Sequence, residues 1–337
     1  MTCTVVVGGF FGDEGKGKII SYLALKDDVE VAARGGVGPN AGHTVSYEGK
    51  VYKLRHVPSA FINEQTRLLI GAGVLVNPKV FLSEVEELGV RDRIGLDPQC
   101  ALIFDEHIQR DVGSEHFRKK IGTTGTGCSP AMEDRVKRVA KLAKEVPELR
   151  DFLTDVAKEV NEAIDRGGSV LIEGTQGTFL SLYHGTYPYV TSKDVTAASI
   201  CADVGVGPKK VDEVIVVFKA YVTRVGPGPL PEELPPGEVE RRGWVERGTV
   251  TGRLRRAAPF NFELAKRAVM LNSATQIAIT KVDALFPEAK GKTSLEELPN
   301  EAKKFVEEVE AELKVPVTLV STGPDVHHIV DLRSSLR

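Results

Sequence analysis

The stretch Gly8 to Lys18, GGFFGDEGKGK, lying directly behind the apolar run Thr4 to Val7, decides the fold of this chain. A strand that ends in glycines and leads into a helix brings backbone N–H groups and the positive end of the helix dipole to one point, where a phosphate binds. Val5 to Val7 predict the strand and Lys18 to Leu25 the helix. The usual spacing of such a loop is G-x-x-x-x-G-K followed by Ser or Thr. Here five residues separate Gly9 from Gly15, Lys16 follows, and Gly17 stands where the hydroxyl residue is expected. That hydroxyl normally holds Mg²⁺, so a loop without it needs another hard oxygen ligand, and Asp13 or Glu14 can supply one beside the terminal phosphate.

Outward from this loop, short apolar runs alternate with amphipathic stretches along the whole chain. The runs are Val29 to Ala33, Leu68 to Ile70, Ala101 to Phe104, Val170 to Ile172, Val214 to Phe218, Ile277 to Ile279 and Val317 to Val320. Runs of this length and type suit strands of a parallel sheet covered on both faces. Between them Pro78 to Leu88, Val136 to Val160, Phe262 to Leu271 and Glu301 to Leu313 carry helical periodicity. The pattern predicts an α/β fold with a mostly parallel central sheet flanked by helices, in which ligands bind beyond the carboxyl ends of the strands. The Pro- and Gly-rich stretch 226–243 is the nearest candidate boundary and reads as a long functional excursion, so 1–337 is expected to form a single domain.

Further loops of the same kind follow other strands. Residues 34–44, RGGVGPNAGHT, form a second glycine-rich turn ending in His43, a candidate proton donor or electrophilic group. A lone loop histidine is more often structural, but two glycine loops behind successive strands favour a site. Residues 121–135, IGTTGTGCSPAMEDR, offer Thr123, Thr124 and backbone N–H groups at a helix start, with Arg135 and Arg138 on the helix. Glu173 and Gln176 open the stretch 173–192, EGTQGTFLSLYHGTYPYVTS, directly behind a strand. Residues 248–256, GTVTGRLRR, combine small residues with Arg253, Arg255 and Arg256, whose forks suit a carboxylate or a phosphate. Last, TKVD at 280–283 and STGPD at 321–325 each follow a strand; Asp283 can accept from guanine N1 and N2, and the Lys281 stem can cover the base.

Composition removes several classes of function. The chain has 337 residues, 42% hydrophobic, with a net charge of −3. It can bury a large core, and it lacks the basic excess of a bulk nucleic-acid or membrane-surface binder. The four cysteines, Cys3, Cys100, Cys128 and Cys201, have no spacing typical of a metal site or disulfide framework, which suits a reducing cytoplasm. No apolar run approaches the roughly 18 residues of a membrane span.

Taken in order, GDEGKGKI, NAGHT, GTTG with PA-x-ED, EG-x-QGT with HGTYPYVTS, KAY-x-TRVG-x-GP-x-P-x-EL, TGR-x-RR, TK-x-D and STGPD strongly resemble the adenylosuccinate synthetase family over nearly the full length. The resemblance implies a trimmed, P-loop-like version of that fold, a cytoplasmic homodimer, Mg²⁺, and GTP-dependent ligation of L-aspartate to IMP through 6-phosphoryl-IMP. It implies that Asp13 is the base for N1 of IMP and, with Gly42, a metal ligand. By the same resemblance His43 and Lys16 act on the transferring phosphoryl group. GTP is expected at Gly12, Asp13, Glu14, Gly15, Lys16 and Gly17, at Gly42, His43 and Thr44, and at Lys281, Asp283, Ser321, Thr322 and Gly323. IMP is expected at Asp13, Asn40, Ala41, Gly42, His43, Thr124, Gln176, Thr191, Val225 and Arg255, with Arg138 reaching it from the other subunit. L-Aspartate is expected at Thr249, Val250, Thr251, Gly252, Arg253 and Arg255.

The chain departs from the family pattern in places. It has two residues more than the usual GGHNAGHT ahead of Asn40, Thr126 where GTTGRG carries arginine, Leu254 within the TGRRRR run, and little sequence between Arg138 and Glu173 or between Asp283 and Val317. A regulatory GTPase that uses the phosphate loop as a switch is the alternative class. It predicts a strand followed by D-x-x-G, whereas the matches at Asp92 to Gly95 and Asp165 to Gly168 lie beside helical segments. A P-loop kinase explains the phosphate loops but not the arginine-rich carboxylate site.

Overall fold

The structure is a computed structural model that describes residues 3–248, 250 and 252–336. Its strands are β1 (Cys3–Gly8), β2 (Val31–Arg34), β3 (His43–Tyr47), β4 (Lys50–Leu54), β5 (Arg67–Ile70), β6 (Ile94–Leu96) and β7 (Val170–Glu173). They continue with β8 (Glu213–Lys219), β9 (Val222–Val225), β10 (Arg255–Ala258), β11 (Gln276–Thr280), β12 (Val317–Ser321) and β13 (Ile329–Asp331). Nine form one sheet in the order β13, β12, β11, β8, β1, β7, β2, β5, β6. Every neighbouring pair is parallel except β12 with β13. The pairs β3 with β4 and β9 with β10 are separate antiparallel ribbons.

The apolar runs become strands because both faces of this sheet are covered. Val5 and Val7 enter the hydrophobic cluster on one face and Val6 the cluster on the other; in β8, Val214, Val216 and Phe218 alternate with Ile215 and Val217 in the same way. A strand with no solvent face has no use for polar residues, hence the unbroken runs. Full burial of each such side chain contributes roughly 1.5–3 kcal/mol. Pro78–Leu88 is a helix as expected, capped by the Asn77 side chain on the N–H groups of Lys79 and Val80 and closed by Gly89 at a φ of 64°.

Two expectations fail for local reasons. Ala101 to Phe104 is not a strand of the sheet: β6 already occupies the edge beside β5, and a turn at Asp97 redirects the chain. The segment makes only isolated bridges, Leu102 with Val76 and Ala101 with Leu142. Val136 to Val160 is not a continuous helix. The helix Cys128–Lys137 stops at Arg138, whose left-handed φ of 65° closes it, and short 3₁₀ turns, one starting at Pro147, precede the helix Val156–Asp165. Asp155 caps that second helix by accepting from the N–H of Lys158 at 2.9 Å.

The excursion 226–243 folds back on the molecule. It includes the helix Pro236–Arg241 and leads to Trp244, which stacks on Tyr221 with ring centroids 4.3 Å apart and joins Val239 and Ala257 in a small buried cluster. This packing fixes β9 and β10 beside the carboxyl end of β8.

Candidate functional site

Six parallel strands end in residues that turn toward one side of the sheet: Gly8, Arg34, Glu173, Lys219, Thr280 and Ser321. The loops that follow them enclose a cavity of about 820 Å³. Gly12, Asp13 and Gly15 have φ of 89°, 60° and 86°, so the loop behind β1 curls through left-handed conformations before the helix α1 (Lys16–Lys26) begins. For Asp13, which has a Cβ, this is a strained setting costing on the order of 1 kcal/mol. No side chain caps α1 at Gly15, which leaves its N-terminal N–H groups to an anion.

The two loop carboxylates have different settings. Glu14 is 1% exposed and accepts from the N–H groups of Phe10 at 3.0 Å and Gly12 at 2.7 Å and from Lys16 Nζ at 2.9 Å. It braces the loop from beneath, so of the two candidate loop carboxylates only Asp13 faces the cavity. A Cβ on Gly8 or Gly177 would come within 2.3 Å of the Glu14 carboxylate, which explains glycine at both positions. Asp13 is held by Arg255, Nη2 to Oδ2 at 2.8 Å. The missing hydroxyl at position 17 also has a steric cause: a Cβ there would sit 3.0 Å from His43 Cβ and 3.1 Å from Ser59 Oγ.

His43 opens β3 and is buried against the strand ends of β2 and β7. Its Nδ1 bonds Glu173 Oε1, which also accepts from Ser59 Oγ at 2.7 Å and Arg34 Nη1 at 3.3 Å; Glu173 Oε2 accepts from the Ser59 N–H at 2.7 Å. Burial, reinforced by the Arg34 charge, lowers the His43 pKa to about 4 against the opposing pull of Glu173. Burial pushes the Glu173 carboxyl up, but His43 and Arg34 outweigh it and hold the group at about 2. The neutral imidazole therefore donates Nδ1–H to a carboxylate. Its Nε2 is buried without a partner among the described residues, and His43 forms part of the cavity wall.

Beside His43, Asn40, Gln176 and Thr191 meet from three loops. Asn40 Nδ2 donates to Thr191 Oγ1 at 3.2 Å and Gln176 Nε2 donates to Asn40 Oδ1 at 3.0 Å. Arg253 Nη2 donates to the carbonyls of Gly122 at 2.8 Å and Thr123 at 3.2 Å, joining the arginine-rich loop to the 121–126 turn. Behind Arg255 lies Glu246, bonded by Arg255, by Lys219 Nζ at 2.7 Å and by Tyr221 Oη at 2.5 Å, with Lys281 Nζ at 3.4 Å. Burial would raise the Glu246 pKa; Lys219, Lys281 and Arg255 drive it far below the usual carboxylate range instead. At the far end, Lys281 has a φ of 61°, and Asp283 Oδ1 is buried without a partner among the described residues. Thr280 Oγ1 donates to the Glu14 carbonyl at 2.6 Å, fastening β11 to the phosphate loop.

The family model that matches this chain, over residues 5–146 and 139–290, describes adenylosuccinate synthetase. The chain belongs to the adenylosuccinate synthetase family. It is a GTP-dependent C–N ligase that joins L-aspartate to IMP. The adenylosuccinate synthetase of Archaeoglobus fulgidus is 60% identical over 333 residues, 99% of each chain, and that of Pyrococcus horikoshii is 55% identical over 339 residues and all of both chains. The fully ligated adenylosuccinate synthetase structure from Plasmodium falciparum superposes with a TM-score of 0.91 at 26% identity, covering 98% of this chain and 100% of that one. The succinoaminodeoxyadenylate synthetase of cyanophage S-2L, 24% identical, shares the fold with a TM-score of 0.82 over 99% and 97% of the two chains. The D-x-x-G match at Asp92 to Gly95 runs into β6 and that at Asp165 to Gly168 precedes β7, so neither follows a strand and nothing favours a switch GTPase.

Among the residues that the synthetase resemblance singled out, the cavity wall contains Gly12, Asp13, Gly15, Lys16 and Gly17 from the first loop and Asn40, Ala41, Gly42, His43 and Thr44 from the second. It also contains Thr124, Gln176, Thr191 and Val225, then Val250, Arg253 and Arg255, then Lys281, Asp283, Ser321 and Gly323. Glu14 lies beneath the loop, and Thr322 is buried with its hydroxyl on the Lys292 carbonyl at 2.6 Å. Gly252 is not part of the wall, and Arg138 is exposed outside it. Thr249 and Thr251 lie outside the described residues. Sequence reasoning gave no role to Arg34, Ser59, Lys219 or Glu246, because each works through another side chain distant in sequence. The sign available for Lys219 was a cation at the end of an otherwise apolar run.

Proposed function

We propose that Asp13, His43, Lys16 and Arg255 perform the ligation at one end of this cavity while Lys281 and Asp283 hold guanine at the other. Asp13 takes the N1 proton of IMP, and the 6-oxygen so activated attacks the γ-phosphorus of GTP. GDP leaves, and the amine of L-aspartate then displaces phosphate from C6 to give adenylosuccinate. Such a transfer depends on positioning and charge neutralisation. The observation that carries this reading is the Asp13–Arg255 pair at 2.8 Å, which sets a carboxylate of the phosphate loop against the arginine-rich loop.

Lys16 lies between the Glu14 carboxylate and the Gln176 carbonyl, positioned for the transferring phosphoryl group. The imidazole of His43, oriented by Glu173, presents Nε2 to the 6-oxygen and can take up a proton once phosphate charge gathers nearby. Asn40, Gln176, Thr124, Thr191 and Val225 surround IMP, and Val250, Arg253 and Arg255 receive the aspartate carboxylates. Among the described residues no three His, Cys, Asp or Glu side chains form a metal cage. The donor set fits Mg²⁺ brought largely by nucleotide phosphates, with Asp13 and the Gly42 carbonyl as its protein ligands. Bound there, Mg²⁺ would neutralise phosphate charge.

We read the chain as a single domain, because one sheet takes strands from β1 through β13. We also read it as a cytoplasmic homodimer in which Arg138 reaches the partner's IMP phosphate. Its exposed neighbours Val136 and Val139 support a covered face there. No helix among the described residues is long and apolar enough to cross a membrane.

Mixing enzyme, GTP, IMP, L-aspartate and Mg²⁺ should raise the absorbance of adenylosuccinate, with no GTP loss when IMP or aspartate is omitted. Asp13→Ala should lower kcat at least 1,000-fold with the fold intact by circular dichroism. A kcat near that of the wild type would place the base elsewhere.

A further inference from the structure

The phosphate loop and the base-binding segments come from opposite ends of the chain, and GTP must reach both. Their separation is therefore a property of the site. One side chain spans it. Lys18, in the first turn of α1 and 6% exposed, uses three donor bonds on the end of β12 and the loop that follows it: Ser321 Oγ at 2.8 Å, the Gly323 carbonyl at 2.6 Å and the His328 carbonyl at 2.8 Å. An ammonium has three N–H groups, and all three are engaged here on one loop.

That loop is also tied elsewhere. The Thr322 N–H donates to the His328 carbonyl at 3.0 Å, which closes the loop on itself, and the Val326 N–H donates to the Ser46 carbonyl at 2.9 Å. Ser46 belongs to β3, the strand that begins with His43. Loop 321–328 thus rests on α1 through Lys18 and on β3 through Ser46. Of these ties, only the Lys18 amine runs from the phosphate-loop helix to Ser321 and Gly323.

We propose that Lys18 is a positioning residue that fixes the guanine-binding loop at the correct distance from the phosphate loop. The inference rests on the reading of Asp283, Ser321 and Gly323 as the base site. Without the amine, Ser321 Oγ and the carbonyls of Gly323 and His328 lose a donor in a buried place, and the loop relaxes toward β3 or solvent. The triphosphate end of the nucleotide does not depend on Lys18, whose amine is spent on the loop. Burial lowers the Lys18 pKa to about 7, opposed by Asp283 and Asp325 and reinforced by Lys281.

The test compares a nucleoside triphosphate with its phosphates alone. Lys18→Met should raise the GTP KM at least tenfold, leave kcat and the KM values of IMP and L-aspartate within threefold, and leave inhibition by inorganic tripolyphosphate within twofold. A P-loop lysine that held phosphate would weaken GTP and tripolyphosphate together, and that result overturns the proposal, as does an unchanged GTP KM. Ser321→Ala, which removes one of the three acceptors, should raise the GTP KM about threefold; if Lys18→Met does not fold, an unchanged GTP KM in Ser321→Ala overturns the proposal by itself. Asp283→Asn serves as the control on the base site. If it leaves the GTP KM and the preference for GTP over ITP unchanged, the base-site reading fails and the inference with it. If it weakens GTP while Lys18→Met does not, the inference alone fails.

Discussion

Asp13 combines a left-handed φ, a carboxylate open to the cavity and a guanidinium partner, and the sequence displays only the carboxylate. The place of Lys16, Asp13 and His43 in the cavity wall was legible because glycine loops behind parallel strands gather at one edge of the sheet. The reason His43 is neutral was not legible, since Glu173 lies 130 positions away and Ser59 was unremarked. This arrangement has a measurable pH signature. The folded His43 pKa of about 4 lies below the ordinary value of 6.5, so between those values the unfolded chain binds more protons. Stability from this group is fully present above pH 6.5 and is lost as pH falls toward 4. Glu173, held at about 2 against an ordinary 4.5, acts in the same direction over the window from 4.5 to 2. Urea unfolding at pH 7 and pH 5 should show a loss of stability of at most about 1.4 kcal/mol per pH unit from His43. His43→Asn should abolish that portion; an identical slope in the variant would mean that another group titrates.

At the scale of elements, β8, β9 and β10 show how far pattern reading reaches. The apolar run Val214 to Phe218 predicted a strand, and Lys219 ends it because Glu246, from the far side of the excursion, neutralises a buried ammonium. The Pro- and Gly-rich excursion looked like a boundary because composition reports turns, while its packing depends on Trp244 meeting Tyr221. Glu246→Gln should leave Lys219 and Arg255 facing each other without their shared carboxylate. We expect at least a tenfold rise in the aspartate KM and a lower unfolding temperature, measured by initial rates and calorimetry; unchanged values of both would remove Glu246 from the support of the arginine loop. Ala101 to Phe104 failed as a strand for a related reason. A run of four apolar residues fits a sheet edge, but only one segment can occupy it, and Ile94–Leu96 does.

The whole molecule gathers loops from strands scattered between β1 and β12 because parallel strands all end on the same side, so the loops behind β1, β2, β7, β8, β11 and β12 reach a common cavity. The proposed dimer belongs to this scale. Val136 and Val139 are 63% and 70% exposed on either side of Arg138, an apolar face beside a charge that the cavity of one subunit does not use. A Val136→Asp, Val139→Asp double variant should sediment as a monomer and raise the IMP KM at least tenfold while the GTP KM changes less. A variant that remains dimeric with normal kinetics would place the interface elsewhere.

By itself, the sequence determined the phosphate loop, the parallel strands and the order of the motifs, because each depends on residues close together in the chain: glycine where φ is positive, apolar runs where both faces are covered. Tertiary structure alone decided which loop carboxylate faces the cavity, which carboxylate orients His43, and how loop 321–328 is spaced from the loop behind β1. Those outcomes depend on contacts such as Glu173 with His43 and Lys18 with Ser321, 303 positions apart, which exist only once the sheet has brought its strand ends together.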